Sequence, residues 1–281
     1  MKYGVHLALW TDDWSNDMDE HIKLAAHLGF DGIEISLLGM TDHKIKNLRT
    51  LIQDQELEVT CTTGLSKEHD LASADSNIRS KSIEYLHWAV ETTAGLGSNL
   101  LSGVLYSPWG YFAPGQKAER IVRAAEGLSS LHQSLVNHEV VLGLEAINRF
   151  ETDLINTAAE ATNLAHMTGS ENIGVLLDAF HMNMEEKDIP TALKTVGSML
   201  VHFHCVENDR GIPGSGHTPW NSIFDGLRSI NYNGWLTMEM FIKANVPVSE
   251  DLNIWRDIEP NPTDAARRGL AFLRENTSDF G

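Results

Sequence analysis

Little in this chain of 281 residues points to secretion, membranes or nucleic acid. Cysteine occurs twice, as Cys61 and Cys205, each inside an apolar run, so buried free thiols are the default and no disulfide is inferred. Basic residues are scarce, 21 Lys and Arg against 39 Asp and Glu, for a net charge of −18. A surface that negative repels nucleic-acid phosphates and anionic lipids, which excludes both as expected partners, and it disfavours a phosphorylated substrate. No apolar run approaches about 18 residues, and MKYGVHLALW turns at once into acidic TDDWSNDMDE, too short and polar a start for a signal peptide. A cytoplasmic, soluble protein is expected. No GxGxxG or GxxxxGK[ST] element follows any strand-like segment, so no nucleotide or organic cofactor is expected.

What is present is a regular alternation of short apolar runs and amphipathic segments. The runs YGVHLAL, GIEISL, LEVTCTT, NLLSGVL, VVLGLEAI, IGVLLD, MLVHFH and WLTMEM read as buried strands. Helices are predicted after each. The first starts at Asp17, with Glu20 completing a capping box, and stops at Gly29. Others cover Asp42 to Gln55, Ser73 to Ala94 ending at Gly95, Glu119 to Asn137, Asn156 to Met167, and Pro190 to Val196. One more is capped by Thr218 with Pro219 at its first position, and the last runs from Pro262 to Leu273. Eight strand–helix units without a composition break predict one α/β domain over residues 1–281, a (β/α)8 TIM barrel, a fold of about 250 residues. A doubly wound sheet is the alternative, but its site would gather at one switch point.

Four strand ends carry metal-ligand side chains: Glu145, Asp178, His204 and Glu239. In a barrel these ends meet at the C-terminal rim, where active sites of this fold are built. Three carboxylates and one imidazole form a hard, oxygen-rich set that favours Mn²⁺, Co²⁺ or Mg²⁺ over a structural zinc. Such an ion would keep coordination positions open for two substrate oxygens. Just past the rim lie Glu151, His181 and Arg210, read as loop positions that offer hydrogen bonds to several hydroxyl groups. Trp10, Trp14, Trp109, Tyr111 and Phe112 concentrate in the loops above, where they could stack on a sugar or on one another. His6 joins the site if the first strand turns it inward.

The strings LEAINRFE, LLDAFHMNMEE, HFHCVENDRGIPG and NIWRDI closely resemble the ketose 3-epimerases, the D-tagatose, D-psicose (allulose) and L-ribulose 3-epimerase family of the xylose-isomerase-like barrels, and the likeness runs end to end. The resemblance implies a homodimer or homotetramer, Mn²⁺ or Co²⁺, and free ketoses such as D-fructose, D-tagatose or L-ribulose as substrates. It implies that Glu145, Asp178, His204 and Glu239 hold the metal and that Glu145 and Glu239 are also the catalytic carboxylates. It assigns Glu151, His181 and Arg210 to substrate around C1 to C3, and Trp109 and Trp14 to the pocket wall. His6 stands where that family often has tyrosine, and CVEND replaces a TGESN-like run, which bears on sugar preference. The reaction implied is epimerisation at C3 by two-glutamate proton transfer through a cis-enediolate. An aldose–ketose isomerase or keto-sugar dehydratase on the same barrel is the rival. An apurinic-site endonuclease and a non-catalytic sugar-binding barrel are more distant ones.

Overall fold

Near-continuous apolar runs are what a strand needs when both its faces are covered, and the eight runs pair accordingly. In a computed structural model, β1 (Lys2–His6), β2 (Gly32–Ser36), β3 (Glu58–Thr62), β4 (Leu100–Gly103), β5 (Val141–Glu145), β6 (Ile173–Asp178), β7 (Leu200–His204) and β8 (Trp235–Met238) pair in parallel and in chain order. β8 returns to β1, closing the barrel. The structure describes residues 1–113, 115–250, 252–278 and 280. Pro114, Asp251, Asp279 and Gly281, which the single-domain expectation also spans, lie outside the described residues.

The connecting helices are α1 (Asp19–Leu28), α2 (Asp42–Asp54), α3 (Ser76–Leu96), α4 (Lys117–Ser129), α5 (His132–His138) and α6 (Ala158–Thr168). α7 (Ala179–Glu185), α8 (Ile189–Val196), α9 (Trp220–Ser229), α10 (Pro247–Glu250) and α11 (Pro262–Thr277) complete the set. Among the described residues no helix is long and apolar enough to cross a membrane.

Several predicted boundaries move, each for a local reason. YGVHLAL stops being a strand at His6, and Leu7–Leu9 form a 3-10 turn. The Asp17–Glu20 capping box is not made: Asp17 accepts from the Asp19 amide, and Glu20 pairs instead with Lys23 at 2.7 Å. α3 runs through Gly95 and is capped by left-handed Gly97, while Gly95 lets Ile45 of α2 approach. The single helix predicted from Glu119 to Asn137 divides into α4 and α5, where the Ser130 hydroxyl bonds back to the Gly127 carbonyl. Thr218 supplies no side-chain cap to α9. Its amide donates to Glu207 instead, and Glu207 also takes the Trp220 indole N–H at 2.8 Å.

Strand alternation sorts the interior. Ile33, Ile35, Val59 and Cys61 share one parity and are buried. The other parity carries Glu34, Ser36, Thr60 and Thr62, and because Ser36 and Thr62 line the central cavity this is the inward face. The C-terminal half of the barrel lumen is therefore polar, and the functional side chains stand on that rigid ring.

Candidate active site and metal centre

A cavity of about 500 Å³ opens over the C-terminal strand ends. Its floor and walls include His6, Glu145, Glu151, His181, Arg210 and Glu239, together with Trp14, Trp109 and Phe241. Trp10 is buried against His21, and Tyr111 and Phe112 stay away from this cavity, so of the five loop aromatics only Trp14 and Trp109 line it.

Glu145, Asp178, His204 and Glu239 converge as expected from the four strand ends. One donor atom from each lies within 4.8 Å of all the others. His204 Nδ1 is 3.6 Å from Asp178 Oδ2 and 3.6 Å from Glu239 Oε2. Asp178 divides its labour. Oδ1 caps α7 by accepting the Phe180 amide at 2.6 Å, while Oδ2 has no hydrogen-bond partner among the described residues. His204 Nδ1 is likewise unpartnered. Orphaned buried acceptors are expensive, and donors around a cation about 2.1 Å away stand roughly 3 to 3.5 Å apart. The residues therefore fit a divalent ion.

Without such an ion the protonation of the site is uneven. Burial and the neighbouring Glu239 charge push the Glu145 carboxyl well above the usual carboxylate range. Burial also works against Glu239, but His204 outweighs it and holds that carboxyl down at about 2. His204 itself is held well above the ordinary imidazole value, because Glu34 and Glu239 overcome the cost of burial.

Glu151, His181 and Arg210 form one polar wall. Glu151 accepts from Trp109 Nε1 at 2.9 Å and from Asn148 Nδ2 at 2.8 Å, and it lies 3.3 Å from the Arg210 guanidinium. Burial opposes its charge, yet His181 and Arg210 keep its carboxyl below the ordinary value. Arg210 sits in the left-handed backbone region at φ 68°, its guanidinium 4.0 Å from the Phe180 ring centre and 3.4 Å from Glu239. His181 is on α7, inside the segment expected to be loop. The Asn148 amide donates to its Nδ1 at 3.1 Å, so the proton is assigned to Nε2, which faces Glu145 at 3.7 Å. The 3.4 Å approach of Arg210 to the same nitrogen is then a close contact between two donors.

His6 does turn inward. The Ala8 amide donates to its Nδ1 at 3.1 Å, which leaves Nε2 to donate to Thr62 Oγ1 at 3.0 Å, between the rings of Trp14 and Phe241. Burial lowers its pKa against the pull of Glu239 and Glu34. Side chains at or under the site that escaped sequence reading include Glu34, His202 and Phe241. Glu34 is the one acid within the strand run GIEISL, and His202 lies two residues before His204 in MLVHFH. Phe241 follows the WLTMEM strand as one more apolar position.

Comparison with known proteins agrees with this geometry. Residues 22–276 match the family described as xylose isomerase-like TIM barrels. The chain is similar to the D-psicose 3-epimerase of Agrobacterium fabrum, 34% identical over 98% of each chain. It is also similar to the L-ribulose 3-epimerase of Mesorhizobium japonicum, 30% identical over 97% of this chain and 93% of that protein. A crystal structure of D-psicose 3-epimerase in the presence of D-fructose superposes with a TM-score of 0.94 at 33% identity, covering 98% of this chain and 99% of that one.

Proposed function

This chain belongs to the xylose isomerase-like TIM barrels and, within them, to the ketose 3-epimerases, and we propose that it inverts C3 of free ketoses such as D-fructose, D-tagatose or L-ribulose. One observation carries the reading. Glu145 and Glu239 line a cavity walled by Glu151, His181 and Arg210, and they converge with Asp178 Oδ2 and His204 Nδ1, a buried carboxylate–imidazole pair without hydrogen-bond partners among the described residues, one donor atom from each of the four lying within 4.8 Å of the others. Two carboxylates that flank a cation site from different strands can serve as proton acceptor and proton donor.

Glu145, Asp178, His204 and Glu239 would hold a divalent ion, Mn²⁺ or Co²⁺ with Mg²⁺ as a further candidate. When bound, it supplies Lewis-acid polarisation of the C2 carbonyl and so acidifies the C3 hydrogen. Glu145 and Glu239 stand on strand ends three apart round the ring, which suits placement on two sides of C3. One takes the C3 proton, leaving an enediolate across C2 and C3, and the other delivers a proton to the opposite face. A base on one face alone would return the starting sugar. His181 Nε2–H and Arg210 donate to sugar oxygens, and Glu151, held by Trp109 and Asn148, accepts from a hydroxyl. Trp14, Trp109 and Phe241 give the sugar an apolar wall, and His6 with Thr62 offers a polar contact beside it.

The proposal takes residues 1–281 as one domain working as a homodimer or homotetramer. The free, buried Cys61 and Cys205 support a reducing compartment, the cytoplasm. The test is incubation of Mn²⁺-loaded protein with D-fructose, D-tagatose and L-ribulose, followed by chromatography of the products. The C3 epimer of at least one should form, be lost after chelation, and return with Mn²⁺ or Co²⁺. Aldose products would instead assign an isomerase, and full activity in persistent chelator would overturn the metal role.

A further inference from the structure

We infer that Glu34 is a positioning residue for His204, holding the imidazole so that Nδ1 faces Asp178 and Glu239. Glu34 is fully buried in the barrel lumen and does not border the cavity, so it has no place in the proton transfers proposed above. Its Oε1 lies 2.8 Å from His204 Nε2 and its Oε2 lies 2.8 Å from His202 Nε2. The Thr60 hydroxyl donates to Oε2 at 2.8 Å and fixes the carboxylate from below. The His202 ring stands edge-on to that of His204, with centres 4.9 Å apart, and the carboxylate bridges the two imidazoles.

An ionised carboxylate only accepts, so the imidazole nitrogen facing it carries the proton, and the other nitrogen keeps a lone pair. Glu34 thus selects the Nε2–H form of His204 and leaves Nδ1 as the donor to an ion. Each imidazole nitrogen is in direct contact with a carboxylate oxygen at 2.8 Å, which holds the His204 ring from the side away from Asp178 and Glu239. A carboxylate behind a ligating histidine orients the ring and raises its basicity, and removing one commonly lowers metal affinity about ten- to a hundredfold.

The inference rests on the metal reading above, and direct titration of chelator-stripped protein with Mn²⁺ separates the two. Wild type should bind one ion per chain. Glu34→Gln keeps the shape and removes the charge, so its affinity should fall about ten- to a hundredfold, measured below the unfolding transition of the metal-free variant. Glu34→Asp restores the charge and should recover part of the affinity. Unchanged affinity in Glu34→Gln overturns the role of Glu34 and leaves the metal site standing. If the Gln variant does not fold, Glu34→Asp decides: weaker binding than wild type supports the inference, and equal binding overturns it. Two ions per chain, with one lost in a Glu34 variant, would instead make Glu34, His202 and His204 a second ion site. No binding by wild type would remove the metal reading and this inference together.

Discussion

Acid should loosen the grip of the metal-free protein on Mn²⁺, and the steepness follows from the protons that the site holds. Burial and the Glu239 charge raise the Glu145 carboxyl well above its usual value, and Glu34 and Glu239 raise the His204 imidazole against the cost of burial. Both are raised groups whose protons must leave before they can ligate, so binding is favoured as pH rises. Each proton released is worth about 1.4 kcal/mol per pH unit, a factor of about ten in affinity. Affinity should therefore fall with pH by about tenfold per unit for each proton the free site holds, over the range in which that group is protonated. Titration calorimetry of chelator-stripped protein in buffers of different ionisation enthalpy counts those protons directly. Affinity without pH dependence, and with no proton release anywhere in the folded range, would show that the donors are already ionised and would refute the raised values. Glu239 behaves differently. Its carboxyl is lowered to about 2, so its contribution to stability is present above the ordinary carboxylate range and is lost only as pH falls towards that value.

Three further outcomes test the machinery around the centre. Glu145→Gln and Glu239→Gln keep an oxygen but remove the proton carrier, so each should lower turnover by about two to four orders of magnitude in a product assay. Trp109→Phe deletes the indole donor to Glu151 while Asn148 and Arg210 remain, so kcat/KM should fall about tenfold with Mn²⁺ affinity unchanged. Gly103 has φ 121°, and a Cβ there would lie 2.2 Å from the Thr63 carbonyl oxygen, so Gly103→Ala should cost at least about 2 kcal/mol and lower the thermal midpoint.

The barrel was legible because each strand is buried on both faces and therefore reads as an unbroken apolar run; β6 matches IGVLLD residue for residue. The four converging side chains were legible because an acid or imidazole closing such a run has no packing reason to be there. Glu34 was not, since its partners His202 and His204 stand on β7 and meet it only across the closed lumen. Phe241 is an ordinary apolar residue until the β8 loop folds over the cavity. Helix ends were misplaced where a side chain was committed elsewhere, as Glu20 is to Lys23, or where another residue holds the backbone, as Glu207 holds the Thr218 amide. α7 was read as loop because its first residues serve the site, with Asp178 acting as both cap and donor.

The central claim is proton exchange at C3 by two carboxylates, and running the reaction in deuterated water tests it most directly. Epimer formed by the Mn²⁺-loaded wild type should carry solvent deuterium at C3, read by proton NMR or mass spectrometry of the isolated product. Either single glutamine variant should at most wash deuterium into recovered substrate without forming epimer. Epimer free of solvent label at C3, formed at the wild-type rate, would contradict the two-base account and point to transfer of the C3 hydrogen without exchange.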